Sequence, residues 1–305
     1  MTINTGAISK LLRPGLNSVV GLAYNMWPQE WQEIYDIAEA SDMSYEEDML
    51  MYGTGLAPQK PQQGGIQFDS MQQWATKRYD HIVYAIGYSI TREAVEDNLY
   101  VKQAMEIAQQ IAFSIKQTME LVGANQLNIG NTSSVLAGDG ISLFNTAHTL
   151  GKGGGTYNNT LLTQADLSEA SAEQSLIDIE GTLNDAGLPM QIKAQKLLIH
   201  RSNQFEACRI FDSPDRYNTA ERSINAMNYM GVLPGGVHIN HYFTNPAAYF
   251  FKTDALKGMR FFLRRAMEVE NDTPDFCTEN MNFKGTVRFS VGCTDWRGIY
   301  GVFGP

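Results

Sequence analysis

Residues 91–123 read TREAVEDNLYVKQAMEIAQQIAFSIKQTMELVG. Small or apolar side chains fall at Val101, Met105, Ala108, Ala112, Ile115, Met119 and Val122, in alternating steps of four and three. That spacing keeps one face of a helix apolar from end to end. The Thr91 hydroxyl can accept from an orphan N–H in the first turn, and Glu93 sits at the positive end of the dipole. Gly123 can take the left-handed conformation that closes a helix. The stretch therefore predicts a helix over 91–123, roughly 45–50 Å long at 1.5 Å per residue. Most globular helices have about 11–12 residues, so something long must lie against this one. The plain alternative is a coiled-coil or bundle helix. The apolar face should pack inside its own subunit. The other face, with Lys102, Glu106, Gln109, Gln110 and Lys116, should meet solvent or a neighbouring chain.

Working outward, residues 1–26 scatter Leu11, Leu12, Val19, Val20 and Leu22 among Gly, Asn and Ser and read as an extended arm. Pro28 opens a short helical pattern through Trp31, Ile34, Tyr35, Ile37 and Ala38 that ends near Ser41. Gly53, Gly55, Pro58, Pro61, Gly64 and Gly65 break any helix in the next stretch. An excursion this poor in core residues should project outward. A strand follows, with Ile82, Tyr84, Ile86, Tyr88 and Ile90 on one face and Val83, Ala85 and Gly87 on the other.

Beyond the long helix, residues 125–162 are rich in loops. A second helix is expected over 164–186, ended by Gly187 and Pro189. Leu197-Leu198-Ile199 reads as a buried strand, and Asn203 to Phe211 as a short helix. Val237 and Ile239, then Tyr249 to Phe251, read as further strands, and strands dominate from Met259 on. The fold class is α+β.

Composition narrows the function. The chain has 305 residues, 43% of them hydrophobic, which is enough for a core of one large domain or two. Net charge is −10 and the isoelectric point about 5.0, so the basic patch of a nucleic-acid binder is missing. No apolar run approaches the roughly 18 residues of a membrane span. Three cysteines, Cys208, Cys277 and Cys293, are few and far apart, and reduced, buried thiols are expected.

Gly151-Lys152-Gly153-Gly154-Gly155-Thr156 lacks the Gly-Lys-Ser/Thr running into a helix that a phosphate loop needs. His238 and His241 would fall on opposite faces of a strand, a poor metal arrangement. His148 lies near Asp139 and Ser142, but no nucleophile elbow surrounds them. Cys208 is expected on the apolar side of its helix. No catalytic residue, cofactor or metal site emerges. A long helix, a projecting arm and an extended N-terminus point to an assembly protein.

The order of parts resembles the major capsid protein of tailed bacteriophages, the family with the Hong Kong 97-like fold. The residues that carry the likeness are Tyr88 to Asp97, which look like the strand-to-helix passage into that family's spine helix, and Asp139 to His148, which resemble a loop of one branch. Leu197 to His200 with the helix to Phe211, then Arg265 to Asn280, and Asp295 to Gly301 resemble its central strand and helix, late strand and turn, and closing strand. The resemblance implies an N-arm at 1–51, an extended E-loop at 52–84 and a P-domain at 85–186 with the spine helix at 91–123. It implies an A-domain at 187–258, and P-domain strands with a C-terminal return at 259–305. It implies a virion protein, assembled in the bacterial host cytoplasm, that forms hexamers and pentamers of an icosahedral head around double-stranded DNA without sequence-specific binding. Implied partners are further copies of itself, a separate scaffolding protein, a portal and a cement protein, with no membrane. Only about 50 residues precede the E-loop, so a fused scaffold is not expected. Contacts between subunits are expected from Lys60, Phe68, Met71, Trp74, Lys77 and Arg78 of the arm and from Glu106 and Gln109 of the helix. Lys60 and Lys77 have no specific partner motif, so no covalent cross-link is expected. An encapsulin-like compartment, which shares the fold, is the alternative, and a soluble hydrolase built on His148 is a third reading.

Overall fold

A computed structural model describes residues 28–39, 42–51, 55–62, 64–69, 72–93, 100–151, 155–216, 223–271 and 280–305. The expected extended arm at 1–26, Met71, Cys277 and most of the Lys152 loop lie outside the described residues.

The long alternating runs near the C-terminus make the first sheet. Strand β10 (Met259–Asn271) pairs antiparallel with β11 (Met281–Cys293), with Phe261 opposite Val291. β11 pairs in turn with β4 (Ile82–Ile90), Val287 opposite Tyr84. On the far edge the short β1 (Asp36–Ala38) lies parallel to β10. The sheet order is β1-β10-β11-β4. Phe261, Val287 and Phe289 are buried on the face that meets the helix, and Phe261 stacks on Phe289 at 5.1 Å.

That helix, the longest of the chain, spans Tyr100–Asn128. Ala108, Ala112, Ile115 and Met119 are buried as the spacing predicts, joined by Ile111, Ala124 and Leu127. Its partner is the C-terminal strand β11. A Cβ on Gly285 would stand 2.8 Å from Ile115 Cδ1 and 2.9 Å from Ile111 Cγ2, so only glycine lets helix and strand approach this closely.

Two expectations about this helix are corrected. It does not stop at Gly123 but runs a further turn and more to Asn128. Gly123 is needed for room instead. Its Cα faces Trp31 and Tyr35, whose side chains would lie 3.3 Å from an added Cβ, and the Tyr35 hydroxyl donates to the Gly123 carbonyl at 2.7 Å. Nor does Lys116 reach solvent: it is buried, one turn before Glu120, whose carboxyl group takes the backbone amides of Glu30 and Trp31. Glu106, Gln109 and Gln110 are exposed as expected.

The segment expected as one helix over 28–41 is split. Only Trp31–Ile34 is helical, and the chain then extends into β1 and leaves Ile37 exposed. Pairing with β10 and the Asp36–Lys252 ion pair at 2.8 Å hold it extended. Trp31 stacks on Phe261 at 3.9 Å, so this stretch closes the main core.

The second sheet has the order β12-β9-β7-β8, from β7 (Ala194–His200), β8 (Val237–Asn240), β9 (Tyr249–Thr253) and β12 (Ile299–Val302). The Leu197-Leu198-Ile199 centre of β7 is apolar because both faces are covered there. Leu198 and Phe250 turn to the main core, while Leu197, Ile199, Tyr249 and Phe251 turn to a second one. The second helix is shorter than expected, Glu169–Glu180. A capping box between Ser168 and Ser171 starts it after Leu167, and it stops at Gly181, where the Tyr157 hydroxyl would lie 2.7 Å from a Cβ. The helical turns over 201–212 form as read, but Cys208 is exposed and only Cys293 is buried among the described thiols.

Candidate functional site

The arm is a two-stranded ribbon. β2 (Tyr45–Met51) pairs antiparallel with β3 (Gln73–Asp80), Asp48 opposite Lys77. Its alternation buries little along its length, yet its base is fastened to the body by polar contacts. Arg260 Nη1 meets Asp48 at 2.7 Å, and the same carboxylate oxygen accepts from the Thr294 hydroxyl at 3.1 Å. The buried Tyr79 hydroxyl bonds to Thr294, and burial pushes its pKa well up, so it stays a neutral donor. Lys257 Nζ donates to the Met49 carbonyl at 3.0 Å. His81, buried between the strands, reaches Ser290 at 3.0 Å and Glu46 at 3.3 Å.

The far end of the ribbon is different. Phe68 is 94% exposed, Leu56 79% and Ile66 68%. Apolar surface of this kind commonly marks an interface. Lys60 is exposed beside them. Trp74 is half-buried, where the ribbon begins. Lys77 Nζ donates to the Leu136 carbonyl of its own subunit at 2.7 Å. Arg78 is held by Asp80 at 2.9 Å and lies over the Tyr45 ring. Lys77 and Arg78 border a groove of ≈ 300 Å³ between the arm base and the long helix, with Tyr84, Val122, Gln126 and Leu136 along it. Glu106 and Gln109 lie several turns earlier on the helix and are not part of that groove. Alongside, β4 leaves Ile82, Val83 and Ile86 exposed, although the strand pattern placed Ile82 and Ile86 with the inward Tyr84 and Tyr88.

The His148 cluster is drawn together, but as a strut. His148 Nδ1 lies 2.7 Å from Asp139 Oδ2, and both side chains are wholly buried. Asn159 Nδ2 donates to the carbonyls of Leu143, Trp296 and Ile299, which leaves Oδ1 as the acceptor. His148 Nε2, 3.1 Å away, therefore donates to that oxygen, and Nδ1 is taken up by Asp139, so neither ring nitrogen faces an open site. The ring stacks on Trp296 at 4.7 Å. Replacing His148 with alanine should cost on the order of 3–5 kcal/mol in urea denaturation, because it leaves Asp139 buried without its partner.

His238 and His241 turn to different carboxylates, 3.6 Å from Glu33 and 2.5 Å from Glu30. Among the described residues no group of three or more His, Cys, Asp or Glu is placed to hold a metal. No described helix is long and apolar enough to cross a membrane. Sequence reasoning missed the polar base of the arm, since Asp48, Thr294 and Arg260 are more than 200 residues apart in part and share no local pattern. The density of Glu46, Glu47 and Asp48 opposite Lys77 and Arg78 was the available signal.

Comparison with known proteins agrees with this architecture. Residues 74–302 match the family described as phage capsid protein. No curated protein sequence matches the chain. Among solved structures, a chain of Mycobacterium phage Adephagia aligns at TM-score 0.58 and 10% identity, covering 92% of this chain and 91% of that one. A chain from the mature capsid of bacteriophage PhiM1 aligns at TM-score 0.58 and 10% identity, covering 91% and 87%. The virus-like particle of Pyrococcus furiosus aligns at TM-score 0.56 and 8% identity, covering 94% and 97%. The family match spans most of the chain, and the two sheets, long helix and projecting ribbon give the Hong Kong 97-like fold: the chain belongs to the phage capsid protein family.

Proposed function

We propose that this capsid protein builds the shell of a tailed-phage head, closing as hexamers and pentamers around double-stranded DNA. One observation carries the reading: a ribbon fastened at its base holds out Phe68, Leu56 and Ile66 with no core of their own to enter. A second copy can cover them, and closed symmetry sums many such modest contacts. Lys60, Phe68 and Trp74 are assigned to that contact, with Glu106 and Gln109 on the exposed helix face as a neighbour's landing surface. Met71, outside the described residues, is assigned with them by its place in the arm. Lys77 and Arg78 border it from the groove at the arm base. The net charge of −10 lets packaged DNA lie inside without being held by base or phosphate contacts.

In this reading 1–51 serves as the N-arm, 52–84 as the E-loop, 85–186 as the first part of the P-domain and 187–258 as the A-domain. The strands of 259–305 return to both, since β10 and β11 complete the first sheet and β12 the second. Scaffolding, portal and cement proteins would be separate chains. Likeness to the Pyrococcus furiosus particle keeps a cellular compartment as the second reading. The family match favours the phage head.

Negative-stain microscopy of the purified protein, alone and with neighbouring gene products, tests this. Capsomers or closed shells are expected, and DNA inside shells from the native source separates head from compartment. A chain that stays monomeric at high concentration in every condition overturns both. Shells should also fall to single chains on boiling in detergent and reductant, because no cross-link is assigned to Lys60 or Lys77.

A further inference from the structure

We propose that Arg265 and Arg288, on the open face of the first sheet, form a two-armed seat for a carboxylate of a second copy of this chain. The seat presupposes the self-assembly proposed above and places one of its contacts.

Val287 and Phe289 turn to the long helix and are buried there, so Arg288 between them turns to the other side of the sheet. On that side it stands directly opposite Arg265 of β10, and on its other flank it pairs with Val83 of β4. Side chains directly opposite each other share a face, and like charges so placed repel. Two register shifts bracket Arg265, one after Leu263 and one before Glu268. Bulges of this kind re-aim a side chain. Without the first, Arg264 would follow Leu263 in register and face Arg288. Arg264 is instead paired with Asp42 at 2.7 Å, and Arg265 takes the place opposite Arg288.

Both guanidinium groups keep donors in reserve. Among the described residues neither joins an ion pair. Arg288 Nε reaches the His81 carbonyl at 3.4 Å, and Arg265 Nε is buried with no hydrogen-bond partner. A buried donor without an acceptor is costly, and the cost ends when an acceptor arrives. Two adjacent guanidinium forks suit a planar group with two acceptor oxygens.

The surroundings select a single carboxylate over a polyanion. Glu268 is exposed beside the pair, and Lys284, the next basic residue on this face, is already met by Glu270 at 2.8 Å. An extended phosphate backbone would run against those carboxylates and against a chain of net charge −10. The same surplus of acid gives every copy carboxylates to offer. Val83, 51% exposed, and the exposed Ala85 border the pair on the same face, so a neighbour seated there buries apolar surface around the charge. The seat also adjoins the root of the arm, where Tyr79 packs on Phe262 of this face.

Sedimentation and negative-stain microscopy of the full chain test this, in whichever condition gives wild-type shells. Arg265→Gln combined with Arg288→Gln should raise the concentration needed for shells at least about tenfold, because a carboxylate in the contact loses its partner. Arg265→Lys combined with Arg288→Lys keeps the charge and the stem but not the fork, and should act in the same direction more weakly. Below the concentration at which shells form, the urea midpoint of the lysine pair should match that of wild type, because the arginines bind nothing within the lone subunit. Double variants that assemble as wild type does overturn the proposal, whatever DNA they hold. A lysine pair that is unfolded or has a lowered midpoint overturns it as well, by making the arginines part of the subunit's own fold. Should the glutamine pair fail to fold, the lysine pair decides. A wild-type chain that forms no shell in any condition ends the shell reading and this seat together, whereas wild-type shells matched by both variants end the seat alone.

Discussion

Ile115→Asp should leave no folded subunit. Ile115 is 3% exposed at the centre of the helix–sheet contact, directly over the backbone of Gly285. The substitution removes a side chain worth about 2–5 kcal/mol when truncated. It also sets a carboxyl group against Ile111, Met119 and Val287 with no partner, which costs several kcal/mol more even after the group takes up a proton. Together these match the whole stability of an ordinary domain, about 5–15 kcal/mol. Circular dichroism and urea denaturation of the isolated chain should show an unfolded or aggregated protein. Ile115→Val should cost only about 0.5–1.5 kcal/mol. Gln109→Asp, on the exposed side of the same helix, should stay within about 0.5 kcal/mol of wild type, with any effect appearing in assembly. A folded, cooperative Ile115→Asp would mean that the helix does not close the core.

The contrast between these two positions was legible in the sequence, because the four-and-three spacing alone separates Ile115 from Gln109. The same local logic found β7, whose Leu197-Leu198-Ile199 run is buried on both faces, and β11, whose Val287 and Phe289 point to the helix. It failed where a distant segment decides the environment. Lys116 reads as solvent-facing but is buried in the fold, and Gly123 reads as a helix stop until Tyr35 is seen to need the space. Glu120 looks like any surface glutamate in a helical pattern, and only contacts 89 and 90 residues away in sequence make it a buried anchor. The segment 28–41 reads as a helix because Trp31, Ile34, Tyr35 and Ala38 fit that period. Pairing with β10 overrides the period after Ile34. The phage-capsid resemblance rests on the order of the parts and on no single motif, and the family match bears out the family.

Removing the arm should separate folding from assembly, provided the cut respects the base. A deletion of 55–80 would take out Tyr79, buried against Phe262 at 4.9 Å, and Lys77, which ties the ribbon to Leu136. Such a chain should be destabilised for reasons unrelated to assembly. Replacing 56–69 with a short Gly-Ser link keeps Trp74, the β2–β3 pairing and the contacts of Asp48 with Thr294 and Arg260. It removes Leu56, Ile66 and Phe68, whose side chains are open to solvent and contribute little to the lone subunit. Closing a loop more tightly carries only a small entropic change. The urea midpoint should therefore stay close to that of the full chain. Assembly should be lost, because in the proposed shell another copy covers the apolar tip: at about 25 cal/mol per Å2, a few hundred Å2 of apolar surface is worth several kcal/mol at each contact. Repeated around a closed shell, a loss of that size shifts the equilibrium wholly to free subunits. Phe68→Ser should act in the same direction more weakly. Centrifugation and negative-stain microscopy read the result. Shells of normal size from the shortened chain would show that the arm tip does not hold the shell together, and an unfolded product would show that 56–69 belongs to the core.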